Sequence, residues 1–211
     1  MTSEMIDIAA IKATPVIPEP FPYFIVNNSL IQEYLPKIQQ DYPPILDAGS
    51  FPLSAVTYSG YFAKLIDELK GENFRAVLAE KFSMDLQDKP VMITVRGKAD
   101  PKDGRIHTDS KSKLITVLLY MNEDWQPDGG RLRLLNDNHN LDNYFAEIPP
   151  DAGTMLIFKV TENGWHGHKT FVGTRKVIQL NYVTNEAALN KHATRHSLSA
   201  KFKEWRRKIF G

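Results

Sequence analysis

Lys113–Leu135 reads KLITVLLYMNEDWQPDGGRLRLL. A β-branched apolar run, Leu114–Met121, is followed by a polar stretch containing Pro127, Asp128, Gly129 and Gly130, and then by a second apolar run, Leu132–Leu135. That is the pattern of strand, turn and strand. Side chains alternate across an extended segment, so Thr116, Leu118 and Tyr120 share one face of the first run. The paired glycines suit a turn that needs φ > 0. They are not a phosphate loop, because no Lys-Ser/Thr follows them and no helix begins there.

The same texture extends from Pro90 to Thr184. VMITVRG, YFAEIPP, GTMLIFKV, WHGHKTF and TRKVIQLNYVT are further short runs, divided by DPKDG, NDNHNLDN, PPDAG and TENG. At least seven closely spaced strands therefore fill residues 90–184, which suggests a barrel or a two-sheet sandwich. Before them, residues 21–89 read as a support region: a β-rich run at Phe21–Val26, then three helical patterns. The first helical pattern, SLIQEYLPKIQQDYP, is open to capping by Asn28 and interrupted by Pro36. YFAKLIDELKG and ENFRAVLAEKFSM are the second and third. Residues 1–20 carry several prolines and are expected to form an extended arm. Residues 185–211 form a basic tail in which Leu198, Phe202, Trp205 and Ile209 lie on one helical stripe.

The chain has 211 residues, 42% hydrophobic and 24% charged, which fits one substantial core with decorations. It has no cysteine, so disulfides, thiolate zinc sites and a cysteine nucleophile are excluded. A cytoplasmic location is the expectation, with no signal peptide and no transmembrane segment. The net charge of +1 is unevenly spread, with +6 on residues 191–211 and −5 on the rest. No nucleic-acid partner is expected from that balance. The basic tail is expected to cap the core, to contact an anionic partner or to pack in a dimer.

Chemistry concentrates at two places. In RIHTDSK, His107 and Asp109 alternate, so both side chains point to one face when the chain is extended. Nearly sixty residues later, in NGWHGHKTFVGTR, comes His166 or His168. Two imidazoles and one carboxylate on one face of an ion leave further positions open, the arrangement used by non-haem Fe(II) oxygenases. A His-x-Asp by itself is weak evidence. Arg175 supplies support, because an arginine among apolar residues needs an anion, and its planar fork suits a carboxylate such as that of 2-oxoglutarate. Val177, Gln179 and Asn181 share its face. The strand parity of His166 and His168 is the same, so alternation leaves the choice between them open.

Taken in order, HTD, LITVLLYMNEDW, GGRLRLL, GTMLIF, WH and GTR resemble the catalytic core of the 2-oxoglutarate/Fe(II) oxygenases, and most of all its prolyl-hydroxylase branch. PFPYFIVNNSLIQEYL is similar to the strand-and-helix entry of that superfamily. The resemblance implies an α+β protein with a mainly β core, a double-stranded β-helix (jelly-roll, cupin-like) with helices packed outside it. It implies a hydroxylase using Fe(II), 2-oxoglutarate and O2, with ascorbate as a possible reductant. In the oxygen-sensing relatives the basic residue follows the distal ligand by nine positions. Arg175 is nine after His166 and seven after His168, so the resemblance assigns the metal to His107, Asp109 and His166.

It further implies that Arg175 and Tyr120 contact the co-substrate, with Thr116 and Leu118 lining its pocket. His168, Asn181, Gln179 and Arg96 are then candidates for substrate contact or for support around the site, although a surface role is the simpler reading of Arg96. His139 reads as solvated, and His192 and His196 as parts of the basic tail. Two other function classes remain in view: a cupin-type metal enzyme without redox chemistry, and a non-catalytic module that binds 2-oxoglutarate or metal. The acceptor is either a protein side chain, prolyl foremost, or a small molecule or saccharide.

Overall fold

The computed structural model describes residues 4–192 and 194. Its first part holds α1 (Ile8–Ala13), β1 (Tyr23–Val26), α2 (Leu35–Gln40), β2 (Phe51–Pro52), α3 (Gly60–Lys70) and α4 (Glu72–Phe82). Then come β3 (Val91–Ala99), β4 (Lys113–Tyr120), β5 (Leu132–Leu135), β6 (Tyr144–Ile148), β7 (Met155–Lys159), β8 (His166–Gly167) and β9 (Gly173–Val183). The expected strand runs all form strands. Six of the nine strands make one sheet in the order β1-β7-β4-β9-β3-β2, and β6-β5-β8 make a second.

Alternation along β4 divides the molecule. Ile115, Val117 and Leu119 are buried on the helix side, where Phe62, Leu65, Ile66 and Leu69 of α3 and Phe74, Val77, Leu78 and Phe82 of α4 cover them. Their neighbours Ile157, Ile178 and Leu180 point the same way. The opposite face carries Tyr120, Leu156, Phe158 and Val177, which meet Leu132, Leu134 and Ile148 of the second sheet. Burying each such side chain stabilises the fold by about 1.5–3 kcal/mol before chain entropy is counted. The result is a double-stranded β-helix with its helical layer outside the larger sheet.

Two local expectations are corrected. Residues 1–20 do not form a simple extended arm: α1 is capped by Asp7, whose Oδ1 accepts from Ala10 N at 2.8 Å. Met5, Ile6 and Ile11 are buried, because the segment docks on the helical layer and Glu68 accepts from the Met5 and Ile6 amides. Pro36 does not interrupt a helix either; it occupies the first turn of α2, where its missing N–H costs nothing. Asn28 is not the cap, since Tyr34 precedes the first helical residue and Leu30 bridges to Ile6.

After β9, residues 186–192 are helical. His192, which the sequence reading places in the basic tail, is buried there with its Nε2 at 2.8 Å from Ser112 Oγ. The expected Leu198/Phe202/Trp205/Ile209 stripe, and His196, lie outside the described residues. Among the described residues, no helix is long and apolar enough to cross a membrane.

Candidate active site

His107 and His166 face each other as an isolated antiparallel bridge, each amide donating to the other's carbonyl at 3.0 Å. That pairing brings together two points far apart in sequence and sets their rings 4.3 Å apart between centroids. Asp109, two residues on, turns its carboxylate to the same place. One donor atom from each of His107, Asp109 and His166 lies within 4.8 Å of the others. An ion could be held there by all three.

The tautomers favour it. His107 Nδ1 is 2.8 Å from Arg105 O, and His166 Nδ1 is 2.9 Å from Gly164 O. A carbonyl can only accept, so each Nδ1 carries the proton and each Nε2 keeps its lone pair. Burial, followed by the neighbouring His107, pushes the His166 pKa down to about 4, so this imidazole is neutral at ordinary pH. For Asp109, burial disfavours the charged form. The Lys113 ammonium, His166 and hydrogen bonds from Lys113 and Thr116 outweigh burial and hold its pKa below the usual carboxylate value.

His107, Asp109 and His166 open into a cleft of about 120 Å³, also lined by Thr116, Leu118, Tyr120, His168, Arg175 and Gln179. Register explains the convergence: Leu118 lies opposite Gln179, and Tyr120 opposite Val177. Arg175 is buried, its guanidinium carbon 5.4 Å from the Tyr120 ring centroid. Its Nε donates to Gly130 O at 2.8 Å, and among the described residues no carboxylate forms an ion pair with it. Burial lowers its pKa, with the nearby Tyr120 opposing. The Tyr120 hydroxyl is buried without a hydrogen-bond partner. Such a group is rare unless something else completes it. A buried cation and an orphaned hydroxyl side by side suit the carboxylate of a ligand.

Gly130, at φ +79°, makes the turn that presents this carbonyl to Arg175, as the sequence predicts. Gly129 is needed for closeness instead: a Cβ there would lie 2.3 Å from Thr170 O. Trp125 packs on Phe171 at the rim, 4.6 Å between centroids.

The remaining candidates separate. His168 is buried in the cleft wall, its Nδ1 is 2.8 Å from Lys169 O, and it stands outside the three-donor group. Burial and then Arg175 push its pKa down to about 4. Arg96 is not a free surface arginine. It lines the cleft, donates through Nε to Ser50 Oγ at 2.9 Å and pairs through Nη1 with Asp103 at 2.9 Å. Asn181 is fully buried and donates to Thr116 Oγ1 at 2.8 Å rather than lining the cleft. His139 is exposed, as expected.

Sequence reasoning missed Asp103, Gly104 and Lys113. The loop carrying the first two is a plain turn by its letters, and only the fold lays Gly104 against His168. Its φ is +88°, and a Cβ there would sit 2.3 Å from His168 O. Lys113 is four residues from Asp109, a spacing that means little outside a helix.

Residues 97–183 match the family model described as 2OG-Fe(II) oxygenase superfamily. No curated protein matches the chain. Among solved structures, the fold is similar to a prolyl-4-hydroxylase of Pseudomonas putida, at TM-score 0.56 and 14% identity, over 84% of this chain and 98% of that one. It is also similar to a viral collagen prolyl hydroxylase of Paramecium Bursaria Chlorella virus-1, at TM-score 0.55 and 12% identity, over 77% and 96%. HygX of Streptomyces hygroscopicus is similar at TM-score 0.50 and 15% identity, over 77% and 82%. Residues 97–183 thus match the 2OG-Fe(II) oxygenase superfamily, and they lie on a fold similar to that of prolyl hydroxylases.

Proposed function

We propose that the protein hydroxylates an acceptor C–H bond, coupled to oxidative decarboxylation of 2-oxoglutarate. The observation that carries this is one cleft holding both the His107/Asp109/His166 donors and the Arg175 guanidinium, which has no carboxylate partner among the described residues. His107, Asp109 and His166 would hold Fe(II). Arg175, helped by the Tyr120 hydroxyl, would hold the far carboxylate of 2-oxoglutarate, with Leu118 beneath. When bound, iron and 2-oxoglutarate supply the activation of O2, one oxygen atom entering succinate as CO2 leaves and the other entering the acceptor. The chain's own work is to bind, orient and exclude water. Ascorbate serves such a reaction only as a reductant.

A cupin-type enzyme without redox chemistry gains nothing from a buried arginine facing its metal ligands, and a non-catalytic module has no need of both halves of the site. For the acceptor, the prolyl hydroxylases with the same fold support a peptidyl prolyl group. The polar wall formed by Arg96, Asp103 and His168 supports a small, hydrogen-bonding molecule such as a saccharide as a second reading.

Anaerobic titration tests the core of the proposal. Fe(II) and 2-oxoglutarate together should give a visible charge-transfer band, absent in Asp109→Ala. No band in the wild-type protein at saturating concentrations would overturn the reading. Mass spectrometry of a lysate treated with enzyme, Fe(II) and 2-oxoglutarate, seeking one added oxygen on peptides or on small molecules, identifies the acceptor.

A further inference from the structure

Both oxygens of Asp109 are held from within the protein. Oδ1 accepts from Lys113 Nζ at 2.6 Å, and Oδ2 accepts from Thr116 Oγ1 at 2.5 Å. The Thr116 oxygen is itself an acceptor, because Asn181 Nδ2 donates to it at 2.8 Å. A hydroxyl has one hydrogen, and here it is committed to Asp109. Behind Asn181 stands Gln179, whose Nε2 donates to Asn181 Oδ1 at 3.1 Å. Every bond in this chain runs one way, from Gln179 through Asn181 and Thr116 to the carboxylate. Thr116 and Asn181 are buried, and they sit opposite each other across β4 and β9.

We infer that Lys113, Thr116 and Asn181 are positioning residues, which keep the Asp109 carboxylate turned toward the two imidazoles before any ion arrives. The inference rests on the metal-site reading above. Turning the carboxylate away would break two charge-assisted hydrogen bonds, which are stronger than neutral ones. It would also strand the mostly covered Lys113 ammonium, a costly result. The ion then meets an oriented ligand, and the cost of ordering that ligand is already met by folding. Partners of this kind around a metal ligand typically change metal affinity by about 10–100-fold. Lys113 offers only donors, so it can support Asp109 without ligating. Thr116 therefore lines the cleft, as the resemblance implies, but has no hydrogen left to offer a co-substrate.

Thr116→Val keeps the shape of the side chain and removes the hydroxyl, whereas Thr116→Ser restores the hydroxyl. Co(II), which is stable in air, can be titrated into each apo protein by calorimetry, with the thermal midpoint of the apo form as a control for folding. The expected result is a dissociation constant raised about 10–100-fold in Thr116→Val. Thr116→Ser should return close to wild type, and Asn181→Ala should weaken binding by a smaller factor. Unchanged Co(II) affinity in Thr116→Val would overturn the inference. So would weakening that Thr116→Ser fails to rescue, since that pattern means packing and not the hydrogen bond. Should Thr116→Val not fold, Asn181→Ala decides alone, and wild-type affinity in it overturns the inference. Wild-type protein that binds no Co(II) would instead overturn the metal-site reading, so the two failures are distinguishable.

Discussion

Single residues carry the sharpest expectations. His166 and His168 are both buried neutral imidazoles with their Nδ1 atoms against carbonyls, yet only His166 joins the three-donor group. His166→Ala should abolish Co(II) binding in calorimetry, and His168→Ala should retain it while altering turnover of the acceptor. On the proposed reading, Arg175→Ala would leave a buried carboxylate of the co-substrate without its cation. Such losses cost about 2–5 kcal/mol, so the KM for 2-oxoglutarate should rise by about 30-fold or more, measured by succinate release. Tyr120→Phe removes one hydrogen bond and should cost about tenfold or less. The parity of 166 and 168 made them indistinguishable by alternation; only the family resemblance, through the gap to Arg175 that it implies, favoured His166. Lys113 and Asp103 were not legible, because their partners come from loop geometry that letters do not encode.

At the scale of elements, β4 and β9 were readable because alternation between two buried faces is a period-two pattern that survives in the letters. The sheet order was not, since nothing in β1 or β7 states that they pair. α1 was hidden by the prolines that follow it. What makes it part of the body is contact: Ile11 is fully buried, and Lys81 Nζ donates to the carbonyls of Lys12 and Thr14 at the end of the helix. Ile11→Ala should therefore destabilise the protein by about 2–5 kcal/mol, read from the urea midpoint. A loosely attached arm would show no change.

For the whole molecule, the titrating groups of the site set a direction. His166 and His168 have folded pKa values of about 4, below the ordinary value of 6.5. As pH falls from about 6.5 toward 4, the unfolded chain takes up protons there while the folded chain does not, so stability falls with pH. Asp109, with its folded pKa lowered, acts in the same sense below the carboxylate range, where its contribution is lost on protonation. Urea midpoints of the apo protein should decrease steadily from pH 7.5 to 4.5. Saturating Co(II) at 100 times its dissociation constant should add about 2.7 kcal/mol near neutral pH. That gain should shrink in acid, because the ion needs unprotonated ligands.

The three donors differ in their access to water. His107 is exposed, whereas His166 is buried and Asp109 is locked between Lys113 and Thr116. On the proposed metal-site reading, an ion would meet water-exposed His107 before the two inner donors. Loading and stripping would then both pass His107, and bulk placed beside it should slow chelator extraction while leaving equilibrium occupancy nearly unchanged.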